Sequence, residues 1–281
     1  MKPLILLTND DGIHSPGLAA AAEALHPLGD LLIVAPLEQQ TSMGRSRTQQ
    51  CGGDGTLTKT SVKYKTRSWE GYGVRATPAL AVEHATLELA DREIALAVSG
   101  INYGENIGNC VTVSGTIGAA LEAAEKGIPA LAVSQEIESF DYHSYSKNVD
   151  FSTAVHFTRQ IAEKMLNNSL PFDADVLKLE IPLSASAETA CVVTRQARLP
   201  YYTPSIQDRD ELFGTPVKVS HVPSKGKYSE KDTDAYALAQ GWVSITPLSL
   251  DLTSRISLET LAAILGTSTL RLKGSEHGNN T

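Results

Sequence analysis

Near the start of the sequence stands the run Leu4-Ile5-Leu6-Leu7-Thr8-Asn9-Asp10-Asp11-Gly12-Ile13-His14-Ser15-Pro16-Gly17. Its apolar beginning predicts a β-strand buried on both faces, because such a strand shows a continuous apolar run without alternating polar residues. Pro16 and Gly17 then open an Ala-rich segment that is typical of a helix. Asp10 and Asp11 therefore fall where a buried strand ends and a helix begins.

The position of Asp10 and Asp11 has two interpretations. In an open α/β sheet, ligands bind just beyond the carboxyl ends of the strands. Two carboxylates at such a place would attract a hard divalent cation such as Mg²⁺ or Mn²⁺. The alternative is a solvated strand-to-helix turn in which Asp11 caps the helix. This stretch by itself is compatible with both.

Outward from this stretch, strand-like and helix-like segments alternate. Further strands are predicted at residues 31–36, 94–98, 128–134 and 176–181, a β ribbon at 56–74, and helices that begin near Thr77, Ser114 and Phe151. This alternation predicts an α/β fold with a Rossmann-like, doubly wound and mostly parallel sheet.

The pattern changes at Ser184. From there to Lys231 the sequence is polar and punctuated by proline, and only short β-type runs such as 191–194 and 217–222 remain. We therefore expect one α/β domain over residues 1–249, with residues 184–231 forming a protruding β arm within it. A C-terminal helix and tail are expected over residues 250–281, frayed from Gly274 onwards.

Composition and charge exclude several classes of protein. The net charge of −8 argues against a nucleic-acid backbone as the main partner. The three cysteines are far apart and form no C-x-x-C pair, so neither a disulfide framework nor a cysteine zinc site is predicted. No apolar run approaches the length of a membrane span, and the apolar start is too short for a signal peptide. We expect a cytoplasmic location without a membrane partner.

Three polar loops, each directly after a predicted strand, carry the residues suited to chemistry: Asn9–Gly12, Gln39–Ser46 and Ser99–Ser114. In a parallel sheet all three emerge at the same edge and offer hard oxygen ligands. Residues 114–116, Ser-Gly-Thr at a predicted helix start, add backbone N–H groups and two hydroxyls for an anion. The alternative is that Ser114 is only the helix N-cap. A metal site beside an anion site indicates phosphate chemistry.

The same loops, in this order, resemble the survival protein SurE family of metal-dependent nucleotide phosphatases. The family's T-N-D-D-G-x-x-x-P-G motif is matched by Thr8–Gly12 with Pro16-Gly17, and its other motifs by Ala35–Ser46, Val98–Asn106, Ser114–Ala120, Thr233-Asp234 and Gly241–Leu248. The resemblance implies the family's Rossmann-like fold, in which an arm and a C-terminal segment exchange between subunits. It thereby implies a homodimer or homotetramer.

The resemblance also implies a metal site. One divalent ion per subunit, Mg²⁺ or Mn²⁺, would be held by Asp10, Asp11, Thr41 and Asn102. Alignment of the second motif puts Thr41 at the family's serine position, and Ser42 remains the alternative ligand. Thr41 keeps the hydroxyl, although its methyl group can alter the affinity for the metal.

The implied activity is hydrolysis of nucleoside monophosphates, at the 5′ or 3′ position, to nucleoside and phosphate. Asp10, Asp11 and Asn106 would be catalytic, and the phosphate would lie against Ser114, Gly115 and Thr116. Either water or Asp10 would attack phosphorus. The alternative from a different class is a metal-dependent nucleotide sensor without catalysis.

The arm carries large apolar side chains in Leu199–Tyr202 and Leu212-Phe213. Because these groups are costly to leave in water, we expect a partner subunit to bury them.

Overall fold

The computed structural model describes residues 2–48, 53–138, 149–206, 211–223, 226 and 228–270. Two compact units are distinguished, Met1–Leu250 and Asp251–Thr281. Cys51 and the tail from Gly274, which was expected to fray, lie outside the described residues. Within the described part of the chain, no helix has the length and apolarity needed to cross a membrane.

The first unit contains a nine-stranded sheet. Its strands, in chain order, are β1 (Leu4–Thr8), β2 (Asp30–Pro36), β3 (Leu57–Tyr64), β4 (Arg67–Val74), β5 (Ile94–Tyr103), β6 (Ala130–Gln135), β7 (Val176–Ile181), β8 (Cys191–Val193) and β11 (Val243–Leu248). Their spatial order is β3-β4-β2-β1-β5-β6-β7-β11-β8. The strands from β4 to β7 in this order run parallel, whereas β3 and β11 run antiparallel to their neighbours β4 and β7. The predicted α/β fold is confirmed.

In the first unit, helices flank the sheet: α1 (Pro16–Leu25), α2 (Pro78–His84), α3 (Gly115–Glu125), α4 (Ser152–Asn167) and α5 (Asp234–Ala239). The second unit contains α6 (Leu258–Leu265). A Ser or Thr hydroxyl accepts a hydrogen bond from the first turn of every one of these helices except α4. Such caps satisfy N–H groups that have no partner inside the helix.

The core has two layers, one on each face of the sheet. In β1, Ile5 and Leu7 belong to the cluster that includes α1 and α4, whereas Leu4 and Leu6 belong to the cluster that includes α2 and α3. Both faces of β1 are therefore buried, as its continuous apolar run predicts. This central strand fixes the position of the carboxylates that follow it.

The structure corrects the expected start of the third loop. The strand predicted to stop at Val98 continues to Tyr103, so Ser99 and Asn102 lie in β5. The extension is stabilised by β6, because Asn102 pairs with Ser134 and Tyr103 with Gln135.

The expected arm is also smaller than residues 184–231. Residues 191–193 form β8 and pair in parallel with β11 at the edge of the main sheet. Among the arm residues that the structure describes, β9 (Tyr202–Ile206) and β10 (Val219–Pro223) form a separate two-stranded antiparallel sheet. A three-residue edge strand has the same local pattern as an arm strand, which is why the sequence did not separate them.

The apolar residues of the arm divide into two groups. Tyr201 is buried by this chain itself, in a small cluster with Ile107, Ala197 and Leu238. The expectation that a partner subunit buries residues 199–202 is therefore wrong for Tyr201. Leu212 and Phe213, in contrast, are largely exposed.

Candidate metal and phosphate site

The two adjacent aspartates lie at the carboxyl end of β1 and are almost completely buried. Asp10 is 4% and Asp11 is 3% exposed. The interpretation of this stretch as a solvated turn is therefore wrong. Carboxylates that remain out of water need strong partners, because burial of an unpaired charge is costly.

The partner of Asp10 is the start of α3. Thr116 Oγ1 donates a hydrogen bond to Asp10 Oδ1. A Cβ atom added to Gly115 would lie 2.8 Å from Asp10 Oδ2, so only glycine allows this close approach. The positive end of the helix dipole thus faces the carboxylate of Asp10.

Asp11 connects the second loop to the end of β5. Its Oδ1 accepts a hydrogen bond of 3.1 Å from Gln39 Nε2, and its Oδ2 accepts one of 3.2 Å from Tyr103 N. Because Asn102 directly precedes Tyr103 in the chain, this hydrogen bond brings Asn102 close to the aspartate pair. Sequence reasoning missed Gln39, whose only signal was its place in a polar loop after a strand.

The second loop begins at the same place. Gln40 N donates a hydrogen bond of 2.7 Å to the carbonyl oxygen of Asp10. The next two residues, Thr41 and Ser42, are both exposed, and Ser42 has a positive φ of 64°. The structure therefore places the start of the second loop at the end of β1 and leaves Thr41 and Ser42, which carry the candidate hydroxyls, exposed.

Asn102 and Asn106 differ in their surroundings. Asn102 Nδ2 donates to the carbonyl oxygen of Gly104 at 2.7 Å, which leaves its amide oxygen as the ligand-type atom. Asn106 is buried, and its Nδ2 donates to Ser134 Oγ at 2.9 Å. One amide is thus suited to a cation, and the other is held firmly by the neighbouring strand.

For the helix start at residues 114–116, the sequence allowed two roles, a helix N-cap and an anion site. Ser114 Oγ accepts a hydrogen bond from Ile117 N at 3.2 Å, so its interpretation as the N-cap of α3 is confirmed. The hydroxyl of Thr116 is already used on Asp10. The backbone N–H groups of Gly115 and Thr116 also bond to Asp10, and Ser114 N donates to the carbonyl oxygen of Cys110 at 3.2 Å. A phosphate at this helix start would therefore share these groups with Asp10.

The electrostatics of the pair favour a cation. Burial raises the pKa of Asp10 to about 6, although Thr116 and nearby backbone N–H groups oppose the shift. Burial, followed by the charge of Asp10, raises the pKa of Asp11 well above its ordinary value. Among the residues that the structure describes, no Lys or Arg forms a salt bridge with Asp10. A bound divalent cation would supply the missing positive charge.

The donor set fits a hard cation. In the described residues, no group of three or more His, Cys, Asp and Glu side chains is placed to hold a metal. A cation here would therefore combine two carboxylates with neutral hydroxyl, amide or water oxygens, the set that Mg²⁺ and Mn²⁺ accept.

An ion-pair cluster that sequence reasoning missed holds the second loop on α3. Arg45 Nε and Arg47 Nη2 each lie 2.9 Å from carboxylate oxygens of Glu122, whose side chain is completely buried. Both arginines also pair with Glu125. The loop that carries Thr41 is thereby attached to the helix that contacts Asp10.

A second ion cluster that sequence reasoning missed contacts the third loop at Asn106 and Gly108. Lys178 and Glu180 on β7 and Asp234 at the start of α5 are all completely buried. Burial raises the pKa of Glu180 to about 7, and Lys178 opposes the shift. Asp234 and Glu105 add smaller effects that raise this pKa.

The raised pKa of Glu180 predicts a pH-dependent stability. As the pH rises from about 4.5 to 7, the unfolded chain loses this proton while the native state retains it, so the contribution of Glu180 to stability falls. Glu180→Gln cannot ionise and removes this dependence. Denaturant unfolding at several pH values measures this effect. Between pH 5 and 7, the free energy of unfolding of the variant should rise relative to that of the wild type by an amount on the order of a few kcal/mol. An equal stability difference at every pH would contradict this expectation.

Comparisons with known proteins agree with the fold and identify the family. The family model "Survival protein SurE" matches residues 5–203. A "5'-nucleotidase SurE" of Thermococcus gammatolerans is 39% identical over 266 residues, covering 93% of this chain and 95% of the relative. Another, of Thermococcus kodakarensis, is 38% identical, with 93% and 98% covered. The crystal structure of the SurE protein from Aquifex aeolicus superposes with a TM-score of 0.72 at 31% identity, covering 94% of this chain and all of that one. The chain belongs to the survival protein SurE family.

Proposed function

We propose that this chain is a divalent-metal-dependent phosphatase that releases phosphate from nucleoside monophosphates, with 5′-monophosphates as the main substrates. The observation that carries the proposal is the pair of buried carboxylates, Asp10 and Asp11, facing the start of α3 at the edge of the sheet. A cation site beside a helix N-terminus is suited to a phosphate group. The relatives named 5'-nucleotidase support the choice of nucleotides as substrate.

The proposed metal ligands are Asp10, Asp11, Asn102 and the hydroxyl of Thr41, with Ser42 as the alternative. One Mg²⁺ or Mn²⁺ ion per subunit would act as a Lewis acid on the phosphoryl group. The hydrogen bonds from Thr116 to Asp10 and from Tyr103 to Asp11 hold the two carboxylates in place for this role.

The remaining residues of the site handle the phosphate. The phosphate would lie against residues 114–116, and the buried amide of Asn106 would stabilise the charge that builds on the phosphoryl oxygens. The hydroxyl of Thr116 and the backbone N–H groups of Gly115 and Thr116 all bond to the carboxylate of Asp10. A carboxylate held by several hydrogen bonds is better suited to be a ligand than a nucleophile, so we assign the attack on phosphorus to water.

The test is phosphate release from a panel of 5′- and 3′-nucleoside monophosphates with Mg²⁺, Mn²⁺ or EDTA. We expect release that requires the metal and is fastest with 5′-monophosphates. Metal-dependent binding of nucleotide without any release of phosphate would contradict the proposal and would indicate a sensor.

Thr41 provides a test of the neutral ligand. A hydroxyl contributes less to metal binding than a carboxylate, so Thr41→Ala should raise the metal concentration needed for half-maximal activity more than it lowers the saturated rate. A titration with Mn²⁺ measures both quantities, with Ser42→Ala as the matched variant. If Ser42→Ala changes the metal dependence and Thr41→Ala does not, the ligand is Ser42.

We also propose that the protein is a homodimer or homotetramer, assembled through the arm that contains β9 and β10. The support is the exposure of large apolar side chains in this arm, including Leu212 and Phe213. Apolar groups exposed together on a projecting segment are typical of a protein interface.

A further inference from the structure

Lys178 is a completely buried cation for which the proposed reaction has no use. It lies on β7 with a side chain that is 0% exposed. Its Nζ donates hydrogen bonds of 2.9 Å to Asp234 Oδ2 and 2.9 Å to the carbonyl oxygen of Asn106, and lies 3.4 Å from Glu180 Oε1. One of its three partners is therefore the backbone of a residue in the proposed site.

Glu180 holds the other backbone group of the same residue. Its Oε2 accepts a hydrogen bond of 3.0 Å from Asn106 N. Together with Lys178 on the carbonyl oxygen, it fixes both backbone polar groups of Asn106. The side-chain amide is fixed in turn by Ser134 on β6.

Asp234 extends this arrangement to the rest of the loop. Its Oδ2 accepts from Lys178 and also from Gly108 N at 3.2 Å. Its Oδ1 accepts from Ala197 N and Ala235 N, both at 2.8 Å. The loop around Asn106 is therefore attached at two residues to one buried ion cluster, which consists of Lys178, Glu180 and Asp234.

A buried ion cluster contributes little net stability to a fold. Removing one cation and two carboxylates from water is costly, and apolar side chains of similar size often give equal or greater stability. An apolar cluster could not, however, bind the N–H and the carbonyl group of a loop residue. The arrangement therefore fits a role in placing the loop.

We propose that Lys178, Glu180 and Asp234 are positioning residues for the phosphatase reaction and hold Asn106 in place against the phosphate. They do not touch the substrate and act only through Asn106. This inference rests on the role of Asn106 in the proposed function. It also gives a purpose to Asp234, part of a late motif that the metal site leaves unexplained.

The test is a double-mutant cycle between Lys178→Met and Asn106→Ala, with kcat, KM and the folded fraction measured for each variant. Both single variants should lower kcat per folded enzyme by about tenfold to a hundredfold, because a small displacement of a positioned group has effects of this size. KM should change much less. The double variant should be no slower than Asn106→Ala, since Lys178 has no effect once the Asn106 side chain is gone.

Leu179→Ala is the matched control. Leu179 is completely buried on the same strand and belongs to the core cluster on the side of α1 and α4. Its truncation should lower the melting temperature and leave kcat per folded enzyme unchanged. Direct titration with Mn²⁺ should give the same affinity for Lys178→Met as for the wild type, because the cluster contacts none of the proposed ligands.

The outcomes separate this inference from the proposed function. If wild-type protein releases no phosphate, the proposed function fails. If Asn106→Ala keeps the wild-type kcat, the role of Asn106 fails and the inference with it. If Asn106→Ala is slow but Lys178→Met is not, or if their effects multiply in the double variant, only the inference is overturned.

Lys178→Met leaves two buried carboxylates without their cation and is the variant most at risk of not folding. In that case Asp234→Asn replaces it in the same cycle. It preserves the shape of the side chain and one acceptor oxygen for Ala197 N and Ala235 N while removing the charge that Lys178 contacts. Its kcat should fall by about tenfold, and an unchanged kcat in the folded variant would overturn the inference.

Discussion

Replacing Asp10 by asparagine should abolish nearly all phosphatase activity and leave the fold intact. The variant keeps the size of the side chain and an oxygen that can accept from Thr116. It removes one of the two charges that attract the cation. Since a metal ion contributes several kcal/mol to stabilising the transition state, we expect kcat/KM to fall by at least about a hundredfold.

The stability of the same variant should move in the opposite direction when metal is absent. Asp10 and Asp11 are buried together, and the charge of each raises the free energy of the other. Removing one charge should raise the melting temperature in EDTA. Addition of Mn²⁺ should then stabilise the wild type and leave Asp10→Asn almost unchanged, because only the wild type binds the ion.

Asp91→Asn is the control, because it removes a carboxylate charge from the protein surface, outside the proposed metal site. Asp91 is exposed and pairs with Arg92. This variant should keep the wild-type activity and the stabilisation by Mn²⁺. If Asp10→Asn retained most of its activity, or were stabilised by Mn²⁺ as the wild type is, the assignment of the metal site would be wrong.

The parts of the fold that the sequence predicts well are those with a strong local signal. The apolar run of β1 predicts a strand buried on both faces, and parallel strands place their following loops at one edge of the sheet. Gln39, Gln40 and Tyr103 confirm that geometry, because all three bond to Asp10 or Asp11 from the later loop and strand. Strand order thus predicts that the second loop and the end of β5 lie near the aspartates, but not which side chains contact them.

What the sequence does not predict are contacts between residues far apart in the chain. Lys178 and Glu180 alternate with apolar residues in β7, and nothing local indicates that Asn106 and Asp234 will surround them. The same is true of Glu122 on α3, whose buried carboxylate pairs with Arg45 in the second loop and with Arg47 directly after it. Such pairs depend on the tertiary structure, so no periodicity or propensity in their own segment reports them.

The assembly of the chain rests on the arm, where replacement of two side chains should separate the subunits. Leu212 is 68% and Phe213 is 85% exposed, on the segment between β9 and β10. Burial of each side chain contributes about 1.5–3 kcal/mol, and a symmetric interface contains both of them twice. The double variant Leu212→Ser/Phe213→Ser should therefore weaken association by at least about a thousandfold.

Light scattering at low micromolar concentration measures this effect. The wild type should have at least twice the mass of the 30.0 kDa chain, and the arm variant should approach the mass of a single chain. Phe172→Ser is the matched control, because Phe172 is fully exposed in the turn between α4 and β7, outside the arm. It should leave the mass of the assembly unchanged. A wild-type protein that is monomeric and fully active would refute assembly through the arm, and so would an arm variant that keeps the wild-type mass.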